Sequence, residues 1–80
     1  MINNEAVLRS TVAGVLGVSP DYINDESSMD TIDQWDSMKH LNLVLAIEEV
    51  FRVSLTEEQS LEMMSLPLIK LVLNEHNIFF

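Results

Sequence analysis

The apolar residues of this 80-residue chain recur at helical rather than strand spacing. Leu8, Val12, Val15 and Leu16, flanked by Val7 and Thr11, fall three and four apart and predict a first amphipathic helix. Asn3 or Asn4 is placed to cap it, Glu5 is favourable in its first turn, and Gly17 suits the left-handed position that ends helices. Beyond it, Tyr22, Ile23, Met29, Ile32 and Trp35 are spaced too irregularly for one helix or strand. They read as anchors that pin a long structured loop, residues 18–36, over the core, with Ser19-Pro20 opening a short helical turn. A loop of that length in a small domain is unusual and often functional.

The stretch from Trp35 to Phe51 has no Gly or Pro after its polar start, and its apolar residues form two stripes. Leu43, Val44, Ile47 and Phe51 make a broad face, with His40 on it and Val50 at its edge; this face predicts core. Met38, Leu41 and Leu45 make a narrower stripe on the opposite side, bordered by Asn42, Glu48, Glu49 and Arg52. Either another segment covers that stripe in a small bundle, or it is presented to a partner. An acidic rim around exposed Met and Leu would suit a basic protein surface. Periodicity leaves both open. Ser37 stands at the head of this helix and also has two readings. It is a good N-cap residue. It is equally a serine on a loop rim, beside unpaired N–H groups and the positive end of a dipole that favour phosphate, where a phosphate-linked group can be attached.

Thr56-Glu57-Glu58-Gln59 reads as a capping box. It predicts a short helix through about Met64 with Leu61 and Met64 facing inward. Ser65-Leu66-Pro67 repeats the start signal for a last helix from Leu66 to about Glu75, with Leu66, Ile69, Val72 and Leu73 as core stripe. Leu68 and Leu71 leave its other side apolar as well. The tail Ile78-Phe79-Phe80 has no partner in the pattern; folding back onto the bundle is one option. No segment alternates convincingly at period two, so no sheet is expected. The fold class is therefore all-α: a single four-helix bundle-like domain over residues 1–80, with a long first loop and a short third helix.

Charge and composition narrow the function. Thirteen acidic against four basic residues give a net charge of −9, which disfavours nucleic acid and anionic membrane surfaces and favours basic proteins. The absence of cysteine excludes disulfides, thiolate metal sites and a cysteine nucleophile. No run approaches the roughly 18 apolar residues of a membrane span. Met1-Ile2-Asn3-Asn4-Glu5 lacks the basic flank and apolar core of a signal peptide. A soluble, cytoplasmic monomer is expected. Asp25, Glu26, Asp30, Asp33 and Asp36 make the first loop acidic but lack the ligand order and central Gly of an EF-hand, so a solvated acidic loop is the reading. Asp36, Ser37 and His40 have the residue types of a nucleophile, base and orienter, but nothing in the sequence supplies an oxyanion hole or a cleft. His40 reads as half buried and hydrogen-bonded, and His40 with the distant His76 is no zinc site. No catalytic activity is expected.

Asp36-Ser37-Met38, followed by a helix ending Ile47-Glu48-Glu49-Val50-Phe51 in a short acidic chain, resembles the acyl carrier proteins over essentially its whole length. The resemblance implies a 4′-phosphopantetheine arm, derived from coenzyme A, on Ser37, with Asp36 helping to position the serine for a phosphopantetheinyl transferase. It implies that acyl intermediates of fatty acid, polyketide or related lipid biosynthesis ride as thioesters on that arm. It makes the second helix the surface read by acyl-loading, synthase or acyltransferase enzymes with basic docking surfaces: Met38, Leu41 and Leu45 for apolar contact, Glu48 and Glu49 for steering. Leu43, Val44, Ile47 and Ile69 become candidate linings for a short acyl chain. Peptidyl and aryl carriers share the arm but usually carry Gly-Gly-x-Ser, whereas Trp35-Asp36 precedes Ser37 here. Lys39 and Asn42 stand where housekeeping fatty-acid carriers usually have acidic residues, and Trp35 where a small residue is usual; both resemble stand-alone carriers of specialised pathways. The alternatives are an aminoacyl or peptidyl carrier, and an acidic helical adaptor in which Ser37 is only a cap.

Overall fold

The computed structural model describes residues 3–80. Met1 and Ile2, part of the stretch read as unlike a signal peptide, lie outside the described residues. The described residues form four helices, α1 (Asn4–Leu16), α2 (Ser37–Phe51), α3 (Glu57–Glu62) and α4 (Leu66–Asn74), with a short 3-10 turn at Pro20–Tyr22. Among the described residues there is no strand, only an isolated antiparallel bridge between Ser28 and Ser65. None of the helices is long and apolar enough to cross a membrane.

Local chemistry fixes most boundaries. The Asn3 side chain accepts hydrogen bonds from the N–H groups of Glu5 and Ala6, and Gly17 ends α1 at φ 75, the left-handed conformation that glycine adopts without steric cost. Thr56 and Gln59 form the reciprocal capping box of α3. Ser65 caps α4, with Pro67 in its first turn, where no N–H partner is needed.

The core joins Leu8, Val12 and Leu16 of α1 to Leu43 and Ile47 of α2 and to Leu66, Ile69 and Leu73 of α4. Each such fully buried side chain contributes about 1.5–3 kcal/mol relative to exposure. Ile23, Ile32 and Trp35 from the first loop close one side. That loop is also tied down by polar bonds. The Arg9 guanidinium donates to the Ile23 carbonyl at 2.9 Å, Leu66 N–H to the Ser27 carbonyl, and Met29 N–H to the Met64 carbonyl.

Several expectations are corrected. Tyr22 is not an anchor: the 3-10 turn leaves it 56% exposed. Val15 is only partly buried, and Ala13 takes the buried place in α1. In the third helix neither Leu61, 65% exposed, nor Met64 faces inward, while Met63 is fully buried. Leu61, still within α3, lines a surface groove instead, and for Met63 and Met64 the reason is that α3 stops at Glu62. Met63 leaves the helical path at ψ 49, so helical spacing no longer governs which side chain points to the core. The tail does fold back: Asn77 at φ 65 turns the chain, Ile78 packs on the core, and the Phe79 carbonyl accepts from the Asn4 side chain at 3.1 Å. The Phe80 ring meets Phe51 edge-on.

Four charged side chains tie α1, the loop and α4 together. Lys70 Nζ lies 2.6 Å from the Glu5 carboxylate and 3.1 Å from Asp25, and Arg9 pairs with Glu5 at 3.3 Å. The hydrogen bond from Lys70 holds the Glu5 carboxyl below its ordinary value, aided by Arg9 and against a desolvation penalty. Burial works against charge on Lys70, but the bonds to Glu5 and Asp25 outweigh it and raise its pKa.

Candidate functional site

The site is built where the first loop hands over to α2. Trp35, only 2% exposed, anchors the loop end. Asp36 follows in extended conformation, and its carboxylate accepts from Lys39 N–H at 2.8 Å. Asp36 is therefore the N-cap of α2, and the reading of Ser37 as the cap is corrected. A carboxylate serves that position well, since it satisfies an orphan N–H and complements the positive end of the helix. Ser37 becomes the first helical residue, exposed to solvent, and the cap does not need its hydroxyl.

Beside Ser37 a groove of about 480 Å³ opens between α2 and α3. Met29, His40, Leu41, Val44, Leu61 and Met64 line it together with Ser37, Glu57 and Ser60. Its walls are mostly apolar. Of the residues expected to line an acyl-receiving interior, only Val44 reaches this groove. Leu43, Ile47 and Ile69 are fully buried in the close-packed core, where a chain of any length would have to displace them.

The narrow stripe of α2 lies uncovered: Met38 is 74% exposed, Leu41 61% and Leu45 57%. Asn42, Glu49 and Arg52 are exposed around it. Glu48 differs from its expected role. It is half-buried, and its Oε2 accepts from Leu55 N–H at 2.8 Å, holding the connection after α2. Its carboxylate is turned to the protein, which leaves Glu49 as the solvent-facing member of the pair.

His40 bridges two elements. Trp35 Nε1–H donates to His40 Nδ1 at 3.1 Å, and the two rings stack with centroids 6.1 Å apart. Indole N–H can only donate, so Nδ1 is the acceptor and the proton resides on Nε2. From there it is donated to the Ser60 carbonyl on α3 at 2.7 Å. His40 is thus half-buried and fully bonded, as its position on α2 suggested. His76 is far from it in the chain and bonds Gln59, and among the described residues no group of three or more His, Asp or Glu side chains is arranged to hold a metal ion. A second hollow of about 320 Å³ in the first loop, among Asp21, Tyr22, Asn24 and Glu26, shares no lining residue with the groove.

Sequence reasoning missed the groove. Its far wall comes from Ser60, Leu61 and Met64, and helical spacing assigns the last two to the core. A scan against protein-family models returns no match for the chain, and a search of curated proteins returns none either.

Proposed function

We propose that this chain is an acyl carrier: a non-enzymatic domain that receives a 4′-phosphopantetheine arm on Ser37 and presents acyl thioesters to partner enzymes. The observation that carries the reading is an exposed serine at the first position of a 15-residue helix, with its hydroxyl not spent on the cap, at the mouth of an apolar groove. The residues fit the group. The first turn of α2 offers N–H groups and the positive dipole end to a phosphodiester, and the groove walls are apolar enough to shelter a short alkyl chain.

The arm supplies the thiol that a chain without cysteine lacks. The protein's own residues do the rest. Asp36 fixes the start of α2 and so the position of Ser37. Met38, Leu41 and Leu45 offer partners an apolar contact, and Glu49 within a field of −9 steers basic surfaces toward it. Holding cargo on a tether raises its effective concentration at each partner. Partners of fatty acid, polyketide or related lipid synthesis follow from the resemblance of the Asp36-Ser37-Met38 stretch.

Incubation with coenzyme A and a broad-specificity phosphopantetheinyl transferase tests the reading. Intact mass should rise once per chain by one arm, and Ser37→Ala should abolish the increment. A native chain that takes no arm makes the protein an acidic helical adaptor whose uncovered α2 stripe is its docking face. Loading with acyl, malonyl and aminoacyl donors then separates acyl from aminoacyl or peptidyl carriage.

A further inference from the structure

We infer that His40 is a latch and positioning residue: it joins the loop end that bears Ser37 to α3, the movable wall of the groove. The positioning role rests on the carrier reading of Ser37; the latch does not.

The argument begins with how little holds α3. It is six residues long and contributes no buried side chain, and a helix that short has little stability of its own. Its flanks are held by the Leu55–Glu48 bond before it, and by the buried Met63 and the Met29–Met64 bond after it. The helix itself is held by Gln59 donating to Glu75 and accepting from His76 on the α4 side, and toward α2 by the hydrogen bond from His40 to Ser60. The Ser60 carbonyl belongs to the last turn of α3, where carbonyls lack intrahelical partners, and His40 satisfies it across the floor of the groove. Ser37, His40 and Ser60 all line that groove. The other ring nitrogen of His40 is held by Trp35, two residues before Ser37. One imidazole therefore spans from the serine's loop to the opposite wall. If the Nε2–Ser60 bond opens, α3 loses its own bond to α2 and keeps only the Leu55–Glu48 tie that precedes it, while the core of α1, α2 and α4 stays closed. If the bond is made, the loop end and Ser37 are held in register with the groove.

His40→Phe keeps a ring for the stack on Trp35 and removes both nitrogens. Amide exchange followed by NMR should then accelerate at least tenfold at Ser60 and its α3 neighbours, with core amides of α1, such as Leu8 and Val12, within twofold of native. In the native chain the ¹⁵N signals of His40 should be those of a neutral ring protonated at Nε2. Unchanged α3 exchange, or acceleration of all amides in parallel, overturns the latch, as does a ring protonated at Nδ1. Trp35→Phe, which leaves the Ser60 bond in place, should speed α3 exchange less than His40→Phe; the reverse order also overturns it. For positioning, His40→Phe should raise the transferase KM for the protein several-fold with kcat within twofold. An unchanged KM overturns that role. Absence of any arm on the native chain removes the carrier reading and the positioning role together, while the exchange result still decides the latch.

Discussion

Arg52 ends α2 in the left-handed conformation, φ 57 and ψ 49, with its N–H bonded to the Glu48 carbonyl. A residue with a Cβ holds that conformation at a cost of about 1–2 kcal/mol. Glycine avoids the cost but gives back part of the gain through greater freedom when unfolded. Arg52→Gly should therefore stabilise the domain by about 0.5–1 kcal/mol in urea titration. At the other end of α2 the cap and the candidate attachment point are different side chains, and they should separate cleanly. Asp36→Ala removes the partner of Lys39 N–H and should cost about 1 kcal/mol. Ser37→Ala, at an exposed position that caps nothing, should change stability by less than about 0.5 kcal/mol.

The third helix shows which parts of an element its own residues determine. Its start is written in Thr56 and Gln59, and the capping box forms as their spacing predicts. Its inward residue is not. Core contact passes to Met63, outside the helix, because the chain turns off the helical path to reach Ser65. Met63→Ala should cost about 2–5 kcal/mol as a buried truncation, and Leu61→Ala about 0.5 kcal/mol or less; equal losses measured by chemical denaturation would reinstate the helical projection through Met64. The second helix was legible because its two stripes are periodic over fifteen residues. Leu43, Val44 and Ile47 are buried as that pattern required, and Met38, Leu41 and Leu45 are uncovered, an outcome the pattern had left open. The groove and the Trp35–His40–Ser60 chain were not legible. They depend on a twenty-residue jump between His40 and Ser60, and no local periodicity encodes a contact of that range.

For the molecule as a whole, electrostatics sets the pH limits of the clasp among Glu5, Arg9, Asp25 and Lys70. Glu5 has a lowered pKa, so its contribution is present above the ordinary value of 4.5 and is lost as pH falls through the lower folded value. Lys70 has a raised pKa, so its contribution is present below 10.5 and is lost as pH rises through the higher folded value. Lys70→Met should cost about 0.5–1 kcal/mol at neutral pH, since the pairs are partly solvated. The gap between native and variant unfolding midpoints should narrow in acid and again in strong alkali, on the two sides of that window. Two of the four basic residues are engaged in this clasp; the other two, Lys39 and Arg52, lie on α2 and at its end, so the negative field that the partner argument uses belongs to the molecule as a whole rather than to the α2 surface alone. The chain also holds a single indole, that of Trp35, buried and stacked on the imidazole that bridges to α3. Selective excitation of that ring makes the domain its own optical reporter: a red shift in emission on adding cargo or partner would register movement at the mouth of the groove without any dye or label.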